Sequence, residues 1–271
     1  MERIKSRNLR VIAIFMFLFA NLLTSCHSIT SKQEPIPIID AVAFEYNDLT
    51  ISAKQVSRDD TKGISVELSI ENQNTYECVV SSSAVIVNNG MTDLSYECAI
   101  EGKERSTDQL YIPFEVIESV GIIDVGCIEI YFDLQNRATN ELITNVGVLA
   151  VKLSEPSAPM ISGHILYDQH GIKIYGQYVD KTTVWGSSVL LYVRNTSDKN
   201  ILVSCEQISV NDREVRGTYN ELIYANKHSV DNVPLIDTID SSDSIGLKLK
   251  IFDADTMEEI AATNPIVFYA N

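Results

Sequence analysis

Apolar and polar residues alternate with a period of two along much of the chain. Ile64-Ser65-Val66-Glu67-Leu68-Ser69-Ile70-Glu71 alternates without a break, and Ile245–Ile251 does the same. Leu49-Thr50-Ile51 and Ile172-Lys173-Ile174 are shorter instances. Successive side chains of a strand point to opposite faces, so this pattern predicts strands with one buried and one wet face. Asn72-Gln73-Asn74, Asn88-Asn89-Gly90 and Asn195-Thr196-Ser197-Asp198 supply the turns between them. Glu115–Ser119 and Asp237–Asp243 depart from the pattern, and each predicts one or two helical turns.

The pattern repeats. Shifted by 123 positions, Phe44 falls on Tyr167, Ile51 on Ile174, Val66 on Val189, Leu68 on Leu191 and Asn72 on Asn195. Val87-Asn88 falls on Val210-Asn211, and no gap is needed from residue 44 to residue 90. Two homologous domains are therefore expected, over 41–153 and 164–271, joined by a linker at 154–163 that carries Pro156 and Pro159. About seven short strands per copy, with turn residues between them, predict an all-β fold of two tandem β-sandwiches. Copies of about 110 residues are long enough for independent cores.

The N-terminus has a different character. Arg3, Lys5, Arg7 and Arg10 precede a continuous apolar stretch from Val11 to Leu23, broken only by Asn21. This is the layout of an export signal, and it is short for a permanent membrane span. It closes on Leu23-Thr24-Ser25-Cys26, which resembles the bacterial lipobox. That resemblance implies a signal peptide at 1–25, cleavage before Cys26 and lipid attachment at Cys26. Residues 26–40 are then expected as a tether, and the membrane as a partner through the lipid. Two acyl chains at about 0.8 kcal/mol per buried methylene hold a protein stably, where one does not.

The second copy carries Asn195-Thr196-Ser197-Asp198-Lys199-Asn200-Ile201, then Ser209-Val210-Asn211, and later Phe252-Asp253-Ala254-Asp255-Thr256. Together these resemble an immunoglobulin-like domain of unknown function found in secreted and lipid-anchored proteins of Firmicutes. Asp212 stands where that family usually has glycine, and the first copy lacks the Ser-Asp-Lys element. The resemblance implies an immunoglobulin-like sandwich and an address at the cell surface. It brings no catalytic residues with it.

The formal net charge is −16. The signal holds four basic residues and one acid, so the remainder is more acidic still. Such a surface repels phosphate backbones and argues against a nucleic-acid partner. Neither HExxH nor GxSxG occurs, and the only histidines are His27, His164, His170 and His228. No cofactor and no catalytic residue is expected. The leading expectation is a non-catalytic envelope protein that binds or scaffolds a protein or glycan partner. A solute- or calcium-binding lipoprotein is the alternative, and a hydrolase with an unrecognised site ranks last. The calcium alternative rests on Asp253, Asp255, Glu258 and Glu259, which place oxygens at near-alternate positions. A hairpin turn, with the aspartates bonding their own backbone, is the simpler reading. Asp237, Asp240 and Asp243 read as a wet helical face, and Trp185 as a cover for a sheet edge. Cys78, Cys98, Cys127 and Cys205 have no cysteine counterparts across the repeat, which predicts that neither sandwich depends on a disulfide.

Overall fold

A computed structural model describes residues 33–159, 163–179, 188–235 and 243–269. The first copy contains β1 (Gln33–Ile36), β2 (Asp40–Val42), β3 (Phe44–Tyr46), β4 (Leu49–Asp59), β5 (Gly63–Asn72), β6 (Cys78–Val87), β7 (Gly90–Thr92), β8 (Glu97–Ile100) and β9 (Glu104–Pro113). A short helix α1 (Phe114–Ser119) follows, then β10 (Cys127–Asn136) and β11 (Glu141–Lys152). The second copy contains β12 (His164–Gln169), β13 (Ile172–Val179), β14 (Ser188–Asn195), β15 (Ile201–Val210), β16 (Arg213–Val215) and β17 (Asn220–Ile223). It ends with β18 (His228–Pro234), β19 (Ser244–Asp253), β20 (Glu259–Ala262) and β21 (Ile266–Tyr269). The fold is all-β, as the period of two predicts.

The sheets stack as sandwiches. In the first copy β1-β4-β5-β9 faces β7-β6-β10-β11-β2, and in the second β12-β13-β14-β18 faces β16-β15-β19-β20. Phe44, Ile51, Val66, Leu68, Ile70, Val80, Ile130 and Phe132 fill the first core. Ile174, Val189, Leu191, Val193, Val203, Leu247, Leu249 and Ile251 fill the second. Ile51, Val66, Leu68, Ile70, Ile174, Leu247, Leu249 and Ile251 among them lie at the inward positions that the alternation predicts.

The hairpins turn where the asparagines stand. Asn47-Asp48, Asn88-Asn89 and Asn211-Asp212 all have positive φ, as do His170 and Gly171. Two consecutive left-handed residues form the tight turn whose twist matches that of the flanking strands. A bulge also recurs. Ser83 of β6 and Glu206 of β15, 123 positions apart, are the residues left out of register against β10 and β19.

Asn72 and Asn195 do more than turn the chain. The Asn72 Nδ2 group donates to the carbonyls of Tyr76, Ile100 and Glu101, at 2.9, 3.2 and 3.2 Å. Its Oδ1 accepts from the Asn74 amide at 3.0 Å. Asn195 repeats every bond at the same offset, donating to Lys199, Ile223 and Tyr224 and accepting from Ser197. Both side chains are 1% exposed, so these bonds satisfy groups that water cannot reach.

Three findings go beyond the sequence reading. Residues 33–36, expected within a polar tether, instead form β1 and pair with Val56–Asp59. The linker is docked: Ser154 donates to the Gly126 carbonyl, and the Ser157 hydroxyl bonds both Asp124 and Asn88. A side chain at Gly126 would strike the backbone of Glu155 and Pro156 at 2.8 Å, so the linker seats only against glycine. Finally, one sheet of each sandwich joins the other across a parallel bridge between β18 and β7, making a single ten-stranded sheet. The helical turn expected near 115–119 is α1. That expected over 237–243 lies outside the described residues apart from Asp243, as do Trp185 and Cys26.

The asparagine clamp yields a test of fold. Asn72→Ala and Asn195→Ala should each lower unfolding free energy by roughly 3–5 kcal/mol, because unmade buried bonds cost about 1–3 kcal/mol apiece. Asp at either position should be worse than Ala, since it sets carboxylate oxygens against three carbonyls. Urea titration of the wild type and the four variants ranks them.

Candidate functional site

The copies meet where β18 crosses β7. Lys227, only 8% exposed, donates to Glu129 of β10 at 2.6–2.7 Å and to Asn89 Oδ1 at 3.2 Å. The His228 amide donates to the Asn89 carbonyl at 2.8 Å. Tyr224 packs edge-on against Tyr131, with ring centroids 5.0 Å apart, in a small apolar cluster with Ala84, Ile86 and Met91. The His228 ring packs against Tyr192 and over Gly90, where an added Cβ would lie 2.8 Å from Nε2. Glycine at position 90 therefore makes room for the second copy.

The two copies diverge in opposite directions at this junction. Where the first copy has Ala84, Ile86 and Gly90, the second has Gln207, Ser209 and Arg213. Where the second has Tyr224, Lys227 and His228, the first has Glu101, Glu104 and Arg105, all exposed. The residues that recur across the repeat predict two separate beads. The signal for docking lay in the positions that do not.

Beside the junction lies a cleft of about 450 Å³, lined by Asn89, linker residues Pro156–Pro159, Arg194, Thr196, Asn226, Lys227 and neighbours. Its volume falls in the range of small-ligand sites. Arg194 is exposed and has no ion-pair partner among the described residues. At the equivalent place in the first copy, Glu71 sits opposite Arg105 and binds it at 2.6 Å. Here the acid has become Arg194, and the facing residue is His228. Burial pushes the His228 ring down to about 4, so it stays neutral at ordinary pH.

Asp253 forms the expected turn: its Oδ1 accepts the amides of Asp255 and Thr256, and its Oδ2 binds Lys199 at 2.6 Å. Among the described residues no three His, Cys, Asp or Glu side chains gather as a metal set. His164 packs on Phe268, and His170 bonds the Tyr167 hydroxyl at the β12–β13 turn. Neither lines the cleft. The four described cysteines are free thiols; Cys78 and Cys205 are buried, and burial raises the Cys205 thiol to about 11.

No known protein family and no curated protein matches the chain. Two solved structures are similar over most of it, both β-galacturonidases of the GH2 class from Eisenbergiella tayi, one bound to galacturonate and one to glycerol. Identity is 9% in each case, with TM-scores of 0.22 and 0.21. The alignments cover 86% and 87% of this chain, but only 46% and 44% of those enzymes.

The buried ion pair gives a double-mutant test. Lys227→Met leaves Glu129 buried without its partner and should cost about 3–5 kcal/mol. Adding Glu129→Leu should recover most of that loss, as measured by chemical denaturation.

His228 gives a test in pH. Its folded value lies below the unfolded one, so its contribution is complete above about pH 6.5 and fades as pH falls toward 4. Glu221 and Asp231 act oppositely, because burial and then neighbouring acids raise both. His228→Gln should remove up to about 3 kcal/mol of the wild-type fall over that window, read as the difference between the two stability–pH curves.

Proposed function

We propose that the chain is a lipid-anchored protein of the bacterial cell envelope whose two sandwiches form a non-catalytic binding or scaffolding module. The observation that carries the reading is the docked junction. A buried ion pair and a parallel strand bridge hold the two copies in one orientation and frame a cleft between them. Rigid placement of two faces is what a recognition site requires, and it lowers the ordering cost of binding. The serine and threonine hydroxyls of the cleft are already committed: Ser157 donates to the Asp124 carbonyl and Thr196 to that of Gly171. The His228 nitrogen that is not bonded to the backbone of Val120 faces Gly90. Neither hydroxyl is thus poised as a nucleophile with a base beside it.

The anchoring half of the proposal comes from Cys26 and the signal before it. Cys26→Ser should abolish incorporation of labelled fatty acid and release the protein from the membrane fraction or leave its signal uncleaved. Wild-type labelling and fractionation in that variant would refute the anchor.

A further inference from the structure

We propose that the cleft between the sandwiches holds a small amide-bearing carboxylate, the chemistry of a peptide C terminus, with the Arg194 guanidinium as its anchor. This rests on the binding reading above and names the ligand class of the same site.

The first ground is charge. The chain carries 37 acids, yet none of the described residues lining the cleft is an aspartate or glutamate. Two cations face it, and Lys227 is neutralised by Glu129. That leaves the Arg194 charge without a carboxylate among the described residues. A guanidinium presents a planar fork of donors that matches a carboxylate with two parallel bonds.

The second ground is the comparison of the copies. On the same pair of strands, the first copy fills its own guanidinium with the Glu71 carboxylate. The second has removed that acid, put arginine in its place and set a buried neutral histidine opposite. An internal carboxylate site has become one that is open to a carboxylate from outside.

The third ground is the rest of the lining. Asn226 is exposed, and its amide makes no hydrogen bond to the described residues. It can pair with a peptide group in both directions. Pro156, Ala158 and Pro159 form an apolar wall suited to a side chain. Because Asn88 pins Ser157, that wall is held in place.

The test uses the full-length protein, purified in detergent. N-acetylglycylleucine and its C-terminal amide differ only in the terminal charge, and their binding is compared by ligand-observed NMR and calorimetry. The acid should bind saturably and at least about tenfold more tightly than the amide. Arg194→Gln should abolish that preference with the melting temperature unchanged, and Arg194→Lys should restore part of it. Inorganic phosphate should compete weakly at most. Equal binding of acid and amide, no saturable binding, phosphate binding more tightly than the dipeptide, or an unaltered preference in Arg194→Gln would each overturn the proposal. Cleavage of the dipeptide that needs Arg194 would uphold the site and sink the non-catalytic reading instead.

Discussion

One buried carboxamide per sandwich holds the corner on which everything else is mounted. Asn195 closes β14 and gathers the carbonyls of Lys199, Ile223 and Tyr224, while its own amide donates to the Lys227 carbonyl. The segment from Ile223 to His228 is thereby fixed against the end of β14. Tyr224, Lys227 and His228 all lie on it. The junction, and with it the cleft, depends on a side chain whose own hydrogen bonds all lie within the second copy. A buried amide bonded this fully is rigid, because every alternative rotamer leaves carbonyls without donors.

Asn72 imposes the same corner on the first copy, where the outward residues are Glu101, Glu104 and Arg105. The clamp is therefore neutral about function. It fixes where side chains will stand and leaves open what they are. The clamp, the tight turns and the bulge recur in both copies, whereas the residues at the exposed corner differ, so the corner can change without disturbing the core.

This division explains what could be read from the sequence. Strands such as Ile64–Glu71 and Ile245–Ile251 were legible because burial on one face leaves a period of two. The asparagine turns were legible because Asn88 and Asn211 tolerate positive φ and stand at the same place in both copies. The fourfold bonding of Asn72 and Asn195 was not, because turn chemistry and buried clamping demand the same residue. Docking escaped for a different reason. Ile86 and Tyr224 each look like one more apolar residue on a strand or at its end, and only their contrast with Ser209 and Glu101 marks them. Arg194 was hidden likewise, since a lone arginine among strands reads as a solvated position until Glu71 is set beside it.

The polarity of the two outward faces has a consequence for growth. Docking here is heterologous: a patch of the first copy receives a different patch of the second. Such contacts, repeated from molecule to molecule, generate rings when the rotation closes and open filaments when it does not. A third sandwich joining the second copy would meet Gln207, Ser209 and Arg213, and one joining the first would meet Glu101, Glu104 and Arg105. Neither offers a socket for a tyrosine nor a buried acid for a lysine. Neither outward face repeats this junction, so a longer array built on the same contact requires a middle unit bearing the socket of one copy and the plug of the other.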